Sequence, residues 1–319
     1  MHRRRFLQLS VSAALAPTLV GCFHREPLRM GVHPWIGYEP LYLTEEFGWL
    51  PDSVTLSRGF AARDSINGLL SGNLDGAALT IDEAVRVQAA GVPVRAVAVT
   101  DVSVGADMLM ARPGIHSLED LAGKSIGVEL GSVSAVLLFA ALQRAGLTAD
   151  QVSLVDLPVN RHLQSWQLGQ IDVSVCYEPT ASRLKQAGAV GLFDSRQVPD
   201  TIFDLLVVTR EAERRIPGAI EDLVRAHFRG LQHLVRNSHD AIYRVATRQQ
   251  VDPEAVREAL ASVMLPELAA NRRYLAPGGR VETVARELAT VLEREGLIDR
   301  VPDVDELCSR DFLPGSLPS

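Results

Sequence analysis

Aromatic residues make up only 5% of the 319 positions, cysteine occurs three times, and acids outnumber Lys and Arg by 39 to 32. Each scarcity excludes something. Residues 1–21 hold Arg3, Arg4 and Arg5 and no acid, so a formal charge of −7 leaves −10 for the rest of the chain. No basic stripe remains to hold phosphates, which argues against nucleic acid as a partner. Beyond Cys22 there are only Cys176 and Cys308. They could form one bridge in an oxidising compartment, but Cys176 falls in an apolar strand and Cys308 near the terminus, and we expect buried free thiols. No Cys/His spacing suits zinc. Past the N-terminus no apolar run approaches the length of a membrane span.

An apolar fraction of 47% is ample for a globular core, and the length exceeds what one core usually holds, so two lobes are expected. Basic Met1–Arg5 followed by mostly apolar Phe6–Val20 reads as an export signal. Arg3-Arg4-Arg5-Phe6-Leu7-Gln8 resembles the twin-arginine consensus without its lysine, and Leu19-Val20-Gly21-Cys22 resembles a bacterial lipobox. The second resemblance implies cleavage before Cys22 and lipid on its sulfur; the alternative is plain signal cleavage nearby.

One stretch occurs twice. Ser71-Gly-Asn-Leu-Asp-Gly-Ala-Ala-Leu-Thr-Ile-Asp82 is echoed by Leu168-Gly-Gln-Ile-Asp-Val-Ser-Val-Cys-Tyr-Glu-Pro179, with Gly72 matching Gly169, Leu74 matching Ile171 and Asp75 matching Asp172. Both read as a helix stopped by Gly, an Asp turn, and a short buried strand. The groups just past such a strand's carboxyl end line the ligand crevice of an open α/β sheet. That nominates Thr80 and Asp82 from the first copy and Tyr177 and Glu178 from the second.

The remaining chain supplies further candidates. Strand Leu28–Val32 runs into a His33–Tyr38 loop whose Trp35 and Tyr38 could meet a ligand, although Trp35 could equally be a core aromatic. Strand Val94–Thr100 ends in Asp101, Ser103 and Asp107, which suit a crevice edge or simple turn capping. Met108–Ala111 and Asp204–Thr209 read as the two crossings between lobes. Gly123-Lys124-Ser125 lacks the earlier glycine of a phosphate loop and enters a strand instead of a helix. Glu129 precedes Ser132, which heads helix Ala135–Ala145; there the Gly131–Ser134 amides could hold a polar group, or Ser132 could be an ordinary N-cap. Further helices are expected over Ala61–Leu70, with Ile66, Leu69 and Leu70 on one face, and over Pro217–Asn237, with a stripe that includes Leu234 and Val235. Others follow over Glu254–Met264 and Val281–Glu295, and a tail over Leu297–Pro314 should cross the first lobe. His227, His233 and His239 scatter around their helix and form no triad.

Several ordered blocks then point to one family. The lipobox signal, Leu28-Arg-Met-Gly-Val-His-Pro-Trp-Ile-Gly-Tyr-Glu-Pro-Leu-Tyr42, Gly72–Asp75 with Ala77-Ala78, Leu118–Val128 and Tyr177-Glu178-Pro179 resemble the substrate-binding proteins of bacterial ABC importers, in the nitrate/taurine/sulfonate and thiamine-precursor group. The resemblance covers the mature chain. It implies an α/β periplasmic-binding-protein fold of type II: two lobes, each a mostly parallel sheet flanked by helices, joined by two crossing strands. We therefore expect a signal over 1–21, a lipidated linker over 22–27, a first lobe of 28–110 plus 207–319, and a second of 111–206. The resemblance also implies a monomer tethered to the membrane at the periplasm or cell envelope, partnered by an ABC permease and its ATPase, with no cofactor, metal or catalytic residue. Relatives in the thiamine-precursor branch resemble pyrimidine synthases with a cysteine-rich motif, which this chain lacks. A sensor without a permease is the other alternative. Asp82, Asp101, Asp107, Glu129 and Glu178 lie near strand ends with few basic residues, which points to a ligand bearing an amine or ring N–H donors.

Overall fold

The computed structural model describes residues 26–316. The export signal and Cys22 lie outside the described residues. In chain order the elements are β1 (Leu28–Val32), α1 (Glu39–Glu46), β2 (Val54–Arg58), α2 (Ala62–Leu70), β3 (Gly76–Thr80), α3 (Ile81–Ala89), β4 (Val94–Ser103), β5 (Met108–Ala111), β6 (Ser125–Val128), α4 (Val133–Ala145), β7 (Ser153–Asp156) and α5 (His162–Gln167). There follow β8 (Val173–Cys176), α6 (Thr180–Gln186), β9 (Val190–Asp194), β10 (Phe203–Thr209), α7 (Arg210–Arg215), α8 (Pro217–Arg236), α9 (Ser238–Gln249), α10 (Pro253–Ala261), β11 (Val263–Met264), α11 (Leu268–Tyr274) and α12 (Arg280–Arg294).

The strands form two sheets, ordered β11-β4-β10-β3-β1-β2 and β7-β6-β8-β5-β9. Both are mostly parallel, as the sequence led us to expect: β1, β2, β3 and β4 run one way in the larger sheet and β6, β7, β8 and β9 in the smaller, with β10, β11 and β5 running against them. In the larger sheet β1 runs parallel to β2 and β3, while β10 is antiparallel to both β3 and β4. In the smaller sheet β6 is parallel to β7 and β8, while β5 is antiparallel to β8 and β9. The reason is the crossing itself: the strand that arrives from the other lobe enters against the direction of its neighbours.

The crossings also fall elsewhere than expected. Met108–Ala111 pairs wholly within the smaller sheet and Phe203–Thr209 wholly within the larger, so the chain changes sheets in the segments 104–107 and 195–202 and not at 110/111 and 206/207. Ser195 ties the two passages together. Its Oγ accepts the Gly105 N–H at 2.6 Å and lies 2.7 Å from Ser103 Oγ, and its own N–H donates to the Asp107 carbonyl.

The two repeated stretches build the same unit in each sheet. Gly72 and Gly169 end their helical stretches at φ +71° and +70°, where a Cβ would be strained. β3 then pairs with β1, and β8 with β6, both in parallel. Strands that short and buried on both faces read as continuous apolar runs, and so they do: Gly76–Thr80 and Val173–Cys176 are buried throughout.

Elsewhere the apolar stripes were drawn slightly wide. Leu70 is 43% exposed and Val235 60% exposed, because the adjacent Leu69 and Leu234 take the inward position and a one-residue step turns about 100° around a helix. The helix expected to reach Met264 stops at Ala261, and Val263 instead pairs with Ser103 at the edge of β4. Helices α9 and α11 fall in the C-terminal stretch that reads as helical, without bounds of their own. The second has a clear job: its buried Asn271 accepts the Val99 N–H at 2.7 Å and donates to the Val99 carbonyl at 3.1 Å, feeding backbone groups of β4 that face an irregular register with β10. The tail crosses the first lobe, with Ala96 donating to the Leu307 carbonyl and accepting from Ser309. Cys176 and Cys308 are buried free thiols on different sheets. Among the described residues no helix is long and apolar enough to cross a membrane.

Candidate functional site

The ends of β3, β4 and β10 lie side by side, and their register makes the site. Thr80 is opposite Asp204, and Asp204 is opposite Asp101. Directly opposed residues project to the same face of a sheet, so three polar side chains stand in a row at the carboxyl edge of β3 and β4. Around them lies a small cavity walled by His33, Trp35, Thr80, Glu83, Asp107, Val133, Tyr177 and Asp204. It has about 10 Å³ open to water centres, room for one water. Tyr177, from the smaller-sheet lobe, seals it by packing edge-on to Trp35, with ring centroids 5.3 Å apart, and against His33 at 6.2 Å.

The cavity is acidic, and its acids are short of donors. Trp35 Nε1 donates to Asp101 Oδ2 at 3.0 Å, and the Tyr38 hydroxyl donates to Asp204 Oδ1. Thr80 Oγ1 donates to Asp82 Oδ1 at 2.7 Å, and the Thr80 N–H to Glu83 at 3.0 Å. Among the described residues, Asp101 Oδ1, Asp107 Oδ2, Asp204 Oδ2, the Tyr177 hydroxyl and His33 Nδ1 are buried without a hydrogen-bond partner. The cavity wall itself carries no Lys or Arg. One cation stands behind it: Arg86, one turn along α3, lies 3.5 Å from Asp82.

Burial without cations holds protons on these groups. Desolvation pushes Asp107 up to about 7 and moves Asp82, Glu83, Asp101 and Asp204 upward too, the last also by repulsion from Asp101. The same burial drives His33 down to about 4, leaving a neutral imidazole. It raises both the Tyr38 and Tyr177 phenols.

The lobes are joined beside this cavity by Arg63 of α2. Its guanidinium reaches Asp156 at 2.8 Å and Glu129 at 3.6 Å, and the backbone N–H of Arg63 donates to Glu129 Oε1 at 3.3 Å. Glu129 is thereby a partner of the other lobe and of the Val159 N–H, with burial raising its carboxyl.

Of the ten residues nominated from the sequence, Trp35, Thr80, Asp107 and Tyr177 line the cavity. Tyr38, Asp82 and Asp101 stand behind it, each hydrogen-bonded to a lining residue. Ser103 instead braces the first passage between lobes, accepting from the Asp107 N–H and meeting Ser195. Ser132 caps α4, accepting from the Ser134 N–H at 3.4 Å and donating its own N–H to the Glu129 carbonyl at 3.1 Å, so two of the four amides expected to hold a polar group are engaged locally. Glu178 accepts the Ser182 N–H at 3.0 Å at the start of α6 and faces a groove shared with Lys185 and Glu258, away from the acidic cavity.

Sequence reading missed Glu83, Asp204, Val133 and the inward aim of His33. Two of these had a signal. Thr80 and Glu83 have the spacing of a capping box, and the Thr80 N–H does donate to Glu83. Asp204 is a carboxylate heading an apolar strand, which is costly unless something claims it.

Known proteins locate this architecture. Residues 38–241 match the profile of the family described as NMT1/THI5 like. A Brucella abortus relative, described as a binding protein with no ligand named, is 26% identical over 247 residues, covering 70% of this chain and 73% of its own. Among solved structures, the alkanesulfonate-binding protein SsuA of Xanthomonas axonopodis pv. citri, bound to MOPS, superposes with a TM-score of 0.72 at 18% identity, covering 88% of this chain and 97% of its own. The periplasmic nitrate-binding protein NrtA of Synechocystis superposes at 0.73 with 12% identity, covering 91% of each chain. At such identities the likeness speaks for the fold, and the family match for descent. Two mixed α/β lobes, twice-crossed and closed over a polar cavity, are the periplasmic-binding-protein fold, and this chain belongs to the NMT1/THI5 like family.

Proposed function

We propose that this chain is the extracytoplasmic binding component of an ABC importer, tethered at the cell envelope by lipid on Cys22. It captures a ligand bearing an amine or ring N–H donors between its lobes and delivers it to a permease and its ATPase. The observation that carries the ligand class is the set of buried, unfilled carboxylate oxygens on Asp101, Asp107 and Asp204 around a cavity without Lys or Arg in its wall. A buried carboxylate is satisfied by donors or cations. A sulfonate or nitrate would bring a second negative charge to the same place. With room for a single water, the cavity admits a ligand group only when the lobes part, and hinge closure then surrounds it.

The protonation of the site makes a testable signature. Each of these carboxyls holds its proton more tightly folded than unfolded. Their contribution to stability is therefore complete below the unfolded carboxylate range, about pH 4, and is lost as the pH rises through about 7, where Asp107 titrates. Thermal unfolding of the ligand-free protein should show a midpoint that falls between pH 5 and pH 8. A cationic ligand favours the ionised carboxylates, so its affinity should rise over the same interval and its binding should release protons in calorimetry. Mass spectrometry of small molecules released from the denatured protein should find an N–H-bearing species. Tight binding of nitrate or an alkanesulfonate, with no affinity for amines, would overturn the reading.

A further inference from the structure

The acidic cavity has an outer neighbour of opposite character. Immediately beyond Tyr177, a second cavity of about 370 Å³ opens toward solvent between the lobes. That is a volume typical of small-molecule sites. Tyr177 lines both spaces, so the two adjoin at its ring.

The outer half is lined by arginine. Arg58, Arg183 and Arg248 line it, against the single carboxylate of Glu39. Glu39 is already engaged: it is buried and accepts from Arg248 and from Gln249 at 2.7 Å. Arg248 also bonds Glu46 at 2.8 Å, and Arg58 bonds Glu45. Arg183 is different. Among the described residues it has no carboxylate partner, and its guanidinium donates only to the Gln249 carbonyl at 3.1 Å. Arg58 and Arg248 sit over the Tyr42 ring, 5.5 and 5.4 Å from its centroid. Phe60, 75% exposed, leaves an aromatic face open at the rim.

We propose that the ligand is amphoteric: its N–H-bearing head meets the carboxylates of the inner cavity, and an anionic group on its other end is held in the outer cavity by Arg183 together with Arg58 and Arg248. The head assignment rests on the reading above; the anionic end rests on the outer cavity alone. Arg183 lies on α6 of one lobe, and Arg58 and Arg248 lie on β2 and α9 of the other. An anion between them draws the lobes together, so the same contact that adds affinity also favours closure.

Three probes separate the two claims: benzamidine, which has a cationic N–H head on a ring; 4-amidinobenzoate, which adds a carboxylate at the far end; and benzoate, which has only the anion. Their dissociation constants are measured by isothermal titration calorimetry at low salt. 4-Amidinobenzoate should bind about tenfold or more tighter than benzamidine, the order expected of one good charge-assisted contact. The ratio of the two constants should collapse toward one in Arg183→Gln, with circular dichroism reporting the fold and Arg58→Gln serving as a second variant. Equal affinities for the two amidines, or a ratio unmoved by both variants, overturns the anionic end and leaves the inner site standing. Benzoate binding as tightly as 4-amidinobenzoate, in a manner weakened by Arg183→Gln, overturns the head and keeps the outer cavity. Absence of binding by all three at millimolar concentration overturns both.

Discussion

The two repeated stretches share a chassis and differ at the tip. In the first lobe Asp75 accepts from the Arg29 N–H at 3.1 Å, tying the turn before β3 to β1; in the second, Asp172 accepts from the Ser125 N–H at 3.0 Å, tying the turn before β8 to β6. Leu74 packs where a Cβ on Gly31 would lie 2.6 Å away, and Ile171 does the same over Gly127 at 2.8 Å. The correspondence thus extends into the partner strand, where a glycine receives the apolar residue of the turn. Beyond the strands it ends. The first copy runs into Thr80, Asp82 and Glu83, all turned toward the cavity cluster, whereas the second sends Tyr177 inward and Glu178 back onto its own helix. A scaffold used twice has been given acid on one side of the cleft and an aromatic lid on the other.

The sharpest way to break the correspondence is where the first copy is most tightly packed. Gly76 occupies the place that Val173 holds in the second copy. A Cβ on Gly76 would meet the Val207 carbonyl oxygen and Met30 Sδ, each at 2.5 Å, because β3 is squeezed between β1 and β10. Backbone cannot give way as a side-chain tip can. Gly76→Val, which makes the first copy more like the second, should cost about 3 kcal/mol in chemical denaturation. A cost below about 0.5 kcal/mol would mean the two strands are interchangeable after all.

The shared aspartates should differ in strength. The Asp75 side chain is 7% exposed and is clasped by Arg29 and Arg215, whereas Asp172 is 38% exposed and bonded to Ser125. Buried, charge-assisted contacts outweigh exposed ones. Asp75→Ala should lower stability by about 2 kcal/mol and Asp172→Ala by about 1 kcal/mol. An equal or reversed order would show that the second lobe, not the first, depends on this turn.

What the sequence could reveal divides along the same line. The chassis was legible because it rests on local rules: helix, left-handed glycine, turn acid, apolar strand. The acids on the cavity's own strand ends were legible for the same reason. What was hidden depends on register between strands far apart in the chain. Asp204 joins the site only because β10 lies between β3 and β4, and Asn271 matters only because an irregular stretch of β4 needs a donor and an acceptor. The lobe boundaries slipped for a related reason: an apolar run announces a strand, but not the sheet that will take it. Ser132 and Glu178 show the reverse arrangement, in which a polar residue beside a strand end bonds to its own helix.

Glu178 gives the finest test of that difference, since its position in the second copy matches Ile81, next to the first copy's acids. Its carboxylate is buried and pushed upward by that burial, as theirs are, so burial and titration alone do not distinguish it. Geometry does. One oxygen accepts the Ser182 N–H, and the groove it faces already holds Lys185. Glutamine keeps a carbonyl oxygen for that N–H, so Glu178→Gln should change stability by less than about 1 kcal/mol and ligand affinity by less than about twofold. Asp107→Asn, in contrast, removes a carboxylate from the cavity wall and should weaken an N–H-bearing ligand by about tenfold or more. If calorimetry gives Glu178→Gln the tenfold loss while the fold is intact, the second copy also carries an acid to the ligand. The two tips would then be alike in chemistry as well as in frame.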